Sequence, residues 1–181
     1  MRSRDKRTRQ ALAIALACVF LAACSDGNSS ARPTGIPSPT PSVSADPQAL
    51  ATAGALAAYR GFRKAQVAAE AVANAHNADL AKYAGDKALA QERANLLQLA
   101  SAGIVVRGAP KLDPRVSAAS ATEVTITDCV DTTDWQPVYK ATGKSAAAPG
   151  QPTRVLATAL ARPYADRWLI QELTTDRSRP C

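Results

Sequence analysis

At Gly103 the hydrophobic pattern of this chain changes period, and that change limits what it can fold into. Before it the pattern is helical. Gln48 to about Asn74 is alanine-rich, carries Leu50, Leu56, Tyr59, Phe62 and Val67, and contains no proline. Asp46 suits the N-cap and Pro47 the first helical position. Tyr59 and Phe62, three apart, share a face and are the expected core anchors, while Gly54 and Gly61 weaken the helix intrinsically. A short helix is expected around Asp79–Tyr83, ending near Gly85. Asp86 is then read as the cap of a third helix, Lys87 to Ala102, with Leu89, Leu96, Leu97 and Leu99 along it and Gly103 as its stop.

Beyond Gly103 the chain reads as strands. Ile104-Val105-Val106-Arg107 is β-branched, and Val116 resumes strand character after the Pro110–Pro114 irregularity. Thr122 to Val130 alternates, with Val124, Ile126, Asp128 and Val130 on one side. Trp135 to Tyr139 is a further strand, followed by a Gly/Ala/Pro loop over 143–152. Thr153–Ala161 and Trp168–Thr174 close a hairpin around Pro163–Asp166. Helices first and a strand meander last predict an α+β domain, three helices packed on a curved antiparallel sheet.

The N-terminus is a different kind of segment. Thirteen apolar residues, Ala11 to Ala23, follow a basic stretch over 1–10. As a helix they would span roughly 20 Å, short of the ~30 Å hydrocarbon core, so they read as a signal-peptide apolar region and not as a permanent span. The run ends in Leu21-Ala22-Ala23-Cys24, which resembles the bacterial lipobox. That resemblance implies that the Cys24 thiol takes diacylglycerol and that residues 1–23 are removed. Cys18 sits too early and has leucine in the middle position. Two acyl chains, at ~0.8 kcal/mol per buried CH₂, would anchor the mature chain to the membrane.

Residues 24–46 carry Pro33, Pro37, Pro39 and Pro41 among Ser, Thr and Gly, with few large apolar groups. They read as a disordered spacer of roughly 65 Å when extended, leaving 47–181 as the folded domain. The formal charge of +7 does not indicate a nucleic-acid partner. Residues 1–10 contribute +4 of it, and the 17 basic and 14 acidic residues from Cys24 onward leave only +3.

Several stretches of this domain resemble a known family. They are Ala55-Leu56-Ala57-Ala58-Tyr59-Arg60-Gly61-Phe62, Asp79-Leu80-Ala81-Lys82-Tyr83-Ala84 and Asp113-Pro114-Arg115-Val116. Later come Thr125-Ile126-Thr127-Asp128-Cys129-Val130-Asp131 with Trp135, and Trp168-Leu169-Ile170 before a terminal cysteine. Together they resemble actinobacterial secreted lipoproteins with a nuclear-transport-factor-2-like (SnoaL-like) cone domain. The resemblance implies a cone fold over 48–181 and brings no reaction with it.

Removing Cys18 with the signal and committing Cys24 to lipid leaves Cys129 and Cys181, an even pair in an oxidising compartment. A disulfide between them is expected, closing about 52 residues; free thiols or an intermolecular bridge are the alternatives. Two cysteines and the single histidine, His76, do not make a zinc set, and no phosphate loop, nucleophile elbow or metal signature appears. No catalytic residue and no cofactor is therefore assigned. Cone folds do host isomerases, dehydratases and hydrolases that use a buried acid or base. Asp128 is the carboxylate best placed for that role, with Tyr59 or Tyr83 as hydroxyl; alternatively Asp128, Asp131 and Asp134 are turn formers before Trp135. His76, beside Asn74 and Asn77, reads as an exposed capping residue. Tyr59, Phe62, Tyr83, Trp135, Tyr139 and Trp168 are the aromatic candidates for a pocket or contact surface. Tyr59, Phe62 and Trp168 lean to the core, Trp135 and Tyr139 to an exposed contact. The expected role is a non-catalytic, lipid-anchored module that binds a small apolar ligand or an envelope protein, or pairs with a second copy. The alternative is a pocket enzyme acting on a small hydrophobic molecule.

Overall fold

The structure, a computed structural model, describes residues 46–181; the expected signal peptide, Cys24 and all but the last residue of the expected spacer lie outside them. Three helices come first: α1 (Pro47–Glu70), α2 (Leu80–Tyr83) and α3 (Asp86–Ser101). Six strands follow: β1 (Ile104–Gly108), β2 (Pro114–Ala119), β3 (Val124–Asp131), β4 (Trp135–Tyr139), β5 (Arg154–Tyr164) and β6 (Arg167–Asp176). The fold is α+β, helices followed by antiparallel sheets.

Local chemistry sets the helix ends. The Asp46 carboxylate accepts from the Gln48 N–H at 3.0 Å, and Pro47 fills a position whose N–H would be orphaned. α1 stops at Glu70, short of the expected Asn74. Ala73 takes a left-handed φ of 53°, and the Asn74 N–H turns back to the Ala69 carbonyl at 2.9 Å. Nor does Asp86 cap α3. Gly85 holds the cap position in an extended conformation, its N–H donating to the Ile170 carbonyl at 3.0 Å, and Asp86 is the first helical residue.

β2, β3, β5 and β6 form a four-stranded antiparallel sheet in that order. β3 meets β5 from Val124 opposite Ala161 to Asp131 opposite Arg154. Register shifts at Val116/Ala118 and at Leu160/Ala161 add local twist. β4 departs from the expected meander: it pairs with β1 in a separate two-stranded sheet, Ile104 opposite Tyr139 and Gly108 opposite Trp135. Gly108, at φ 82°, lies against the Asp134 carbonyl, where a β-carbon would collide with backbone.

The core lies between α1 and the four-stranded sheet. Tyr59 and Phe62 from α1, with Leu80 and Leu96, pack against Val124, Ile126 and Ile170, all essentially without solvent exposure. Alanines 51, 55, 58, 65 and 69 on α1 and 159 and 161 on β5 are buried too, so helix and sheet approach closely over small side chains. Fully burying each large residue contributes about 1.5–3 kcal/mol. β3 alternates buried and half-buried along its length as its sequence predicts, with Asp128 on the buried side.

Candidate functional site

One face of α1 carries Tyr59, Arg63, Gln66 and Glu70, spaced four, three and four residues apart. This face turns inward, and its polar groups answer one another. The Tyr59 hydroxyl donates to Asp128 Oδ2 at 2.8 Å and accepts from Arg63 Nε at 3.0 Å. Arg63 Nη1 donates to Gln66 Oε1 at 2.9 Å, and the Arg63 guanidinium lies 5.2 Å from the Tyr59 ring centre. Gln66 Nε2 then reaches Glu92 Oε2 on α3 at 2.8 Å and, more loosely, Glu70 Oε1 at 3.4 Å. Asn95 Nδ2 completes the run by donating to Glu70 Oε1 at 3.0 Å.

Burial gives this chain its energetic weight. Arg63, Gln66, Glu70, Glu92 and Asp128 are between 1% and 7% exposed, so each group must find its partner inside the protein. Asp128 does so fully, its second oxygen accepting from the Asp113 N–H at 2.7 Å. Glu92 Oε1 has no partner, and neither does the buried Trp135 Nε1. Burial pushes the Tyr59 hydroxyl well above its usual range, against the pull of the Arg63 cation. It lifts the Glu70 carboxyl to about 7, although Arg63, Asn95 and Gln66 oppose it. Glu92 rises to about 8 through burial first and the charge of Glu70 second.

The Glu70 end of the chain opens on a cavity of about 450 Å³. Glu70, Asn95 and Leu99 form its helical wall, Val106 and Trp135 its strand wall, and the 146–153 loop covers a third side. A smaller cavity of about 240 Å³ adjoins it, sharing Glu70, Asn95, Trp135 and Arg177 and adding Arg63 and Gln66. The larger space offers small apolar surface from Pro137, Ala146 and Ala147 around one buried carboxyl, a composition suited to a small organic molecule.

Of the residues singled out from the sequence, Trp135 alone lines the cavities. Tyr59 and Asp128 stand at the far end of the polar chain, and Phe62 is core. Asp128 is therefore no turn former: it sits mid-strand, 1% exposed. Asp131 does shape a turn, accepting from the Thr133 N–H at 2.9 Å, and Asp134 pairs with Lys111 at 2.9 Å. Tyr83 and Trp168 are half-buried against Gly61 and Gly54, and Tyr139 is 47% exposed on β4. His76 is exposed, its N–H bonded to Asn74 Oδ1 at 3.0 Å, and lines neither cavity. Arg63, Gln66, Glu70, Glu92 and Asn95 were not legible as site residues, although the 59/63/66/70 spacing on a helix with a buried aromatic face was available as a signal.

Cys129 and Cys181 are placed at disulfide distance, Cα atoms 5.8 Å apart. Among the described residues no cluster of three or more His, Cys, Asp or Glu side chains is arranged to hold a metal ion. Among them, too, no helix is long and apolar enough to cross a membrane.

No family model matches this chain, and no curated protein does. Among solved structures it is similar to the crystal structure of the intermembrane space region of the chloroplast protein ARC6. The TM-score is 0.45 at 12% identity, over 69% of this chain and 95% of that one, and the likeness carries no functional argument.

Proposed function

We propose that residues 47–181 are a small-molecule-binding module of the cone type, related to the actinobacterial lipoproteins that the sequence resembles and held outside the membrane by lipid on Cys24. The cavity of about 450 Å³ carries this reading. Its wall mixes small apolar residues with amides and hydroxyls, and it has a single buried carboxyl, Glu70, and one cation, the exposed Arg177. The ligand that fits is a small, largely apolar molecule with one polar group, received beside Trp135. The tether rests on the Leu21-Ala22-Ala23-Cys24 sequence and on the proline-rich spacer behind it. The module needs no cofactor to bind, and nucleic acid is not its partner.

A second reading, a pocket enzyme, is favoured by one observation. Glu70 lines both cavities with its carboxyl lifted to about 7, the range in which a carboxyl exchanges protons at neutral pH. Asp128 and His76 have no part in this version, since neither lines a cavity.

Trp135 is the natural reporter. In a Trp168→Phe background its fluorescence should shift when the protein meets an organic-solvent extract of the cell envelope. Leu99→Phe, which narrows the cavity without adding a second indole, should abolish that response. An unchanged spectrum would count against the binding reading. The tether has its own test: Cys24→Ser should move the protein from the membrane pellet to the soluble fraction.

A further inference from the structure

The seam between α1 and α3 places two buried carboxyls against one amide. Gln66 Nε2 is the shared donor, at 2.8 Å from Glu92 and 3.4 Å from Glu70, and Asn95 adds a bond to Glu70 alone. Both glutamates are more than nine-tenths buried, and Glu92 Oε1 meets no donor. The charged and titratable groups around them are few. On α1, Arg63 and Tyr59 are already committed to Gln66 and to Asp128 of β3. From β1, the Arg107 guanidinium reaches the Ala71 carbonyl at 3.4 Å, and after β6 Arg177 lines the cavities with Glu70 from an exposed position. None of these cations makes a salt bridge with either carboxyl. Two carboxylates in this seam, with three hydrogen bonds between them and one buried oxygen left undonated, are not a stable arrangement unless a proton stays with them.

We infer that this seam is a proton-dependent latch, closed while the Glu70–Glu92 pair keeps at least one proton and loosened when both carboxyls ionise and release their protons to solvent. Burial and the repulsion between the two carboxyls place that second ionisation on the alkaline side of neutrality. Loosening acts on α3 and on the cavity wall, because Asn95 of α3 and Glu70 of α1 are bonded across the seam and both line the cavity. The latch concerns the empty protein and stands apart from whether the cavity takes a ligand.

The chain suits a direct test. It has four glutamates, few enough to resolve singly, and its one histidine makes none of the seam hydrogen bonds. Carbon-13 carboxyl NMR on the detergent-purified full chain should find Glu172 ionised at pH 6 while Glu70 and Glu92 still hold protons. Amide exchange in α3, corrected for the intrinsic base-catalysed rate, should lose at least about tenfold protection between pH 6 and 9.5. The Glu70→Gln/Glu92→Gln variant should keep its protection across that range. Four glutamates ionised by pH 5.5, equal corrected exchange at both pH values, or a double variant that loosens like the wild type would each overturn the latch. Should the variant fail to fold, the carboxyl titration and the wild-type exchange decide it.

Discussion

The hydroxyl of Tyr59 donates to the carboxylate of Asp128 at 2.8 Å, joining α1 to β3 across 69 residues of chain. Asp128 stands on the buried face of β3 beside Val124 and Ile126, so this bond replaces an apolar contact with a specific one. Tyr59→Phe keeps the ring and removes the bridge, leaving Asp128 Oδ2 and Arg63 Nε without their partner. The expected loss is about 2–3 kcal/mol in urea unfolding at neutral pH, because a buried charged group left unsatisfied costs more than a neutral bond is worth. A loss below about 0.5 kcal/mol would show that water replaces the hydroxyl freely.

Glu92 carries the clearest pH prediction. Its folded pKa, raised to about 8, lies above the 4.5 of the unfolded chain, so the folded state binds more protons between those values. Stability is fully present below about pH 4.5 and is lost as pH rises through about 8. Glu92→Gln removes this slope. It should match the wild type near pH 5 and exceed it by about 2–4 kcal/mol at pH 9 in urea titrations. Parallel stability curves for the two proteins would refute the assignment.

Gly61 and Gly54 serve as slots in α1. A β-carbon on Gly61 would enter the Tyr83 ring, and one on Gly54 the Trp168 ring. Gly61→Ala should therefore destabilise by about 1–2 kcal/mol, even though alanine gains about 1 kcal/mol in an exposed helix. Combining it with Tyr83→Val should recover most of the loss. A net gain for the single substitution would mean that Tyr83 moves aside at no cost.

Closing the 52-residue loop between Cys129 and Cys181 constrains the unfolded chain. Cys181→Ser should cost up to about 4 kcal/mol in the chain-entropy account. It should also free the residues beyond β6 for rapid exchange. Native protein that alkylates at both positions without reductant would contradict the bridge.

Much of this fold could be read before any coordinates. Asp46-Pro47 announces the start of α1, the Val124–Val130 alternation gives β3 and its buried face, and Pro163–Asp166 marks the β5–β6 hairpin. These are local signals, carried by neighbouring residues. The departure of β4 was hidden, because pairing Ile104 with Tyr139 is a contact across 35 residues that neither strand encodes alone. The site was hidden for a related reason. Arg63, Gln66 and Glu70 look like the solvated side of an alanine-rich helix until Glu92 and Asn95 of α3 are brought against them. Trp135 is the one candidate site residue that lines the cavity, half-buried there and not the exposed contact its place beside a turn suggests.

Native mass spectrometry of the protein purified gently from its own cells tests the binding reading most directly. Beyond the mass of the chain itself, the account predicts a discrete small-molecule adduct that Leu99→Trp, by filling the cavity, removes while the protein stays folded. Wild-type protein that repeatedly flies with no adduct, or an adduct that survives in the filled variant, would contradict it.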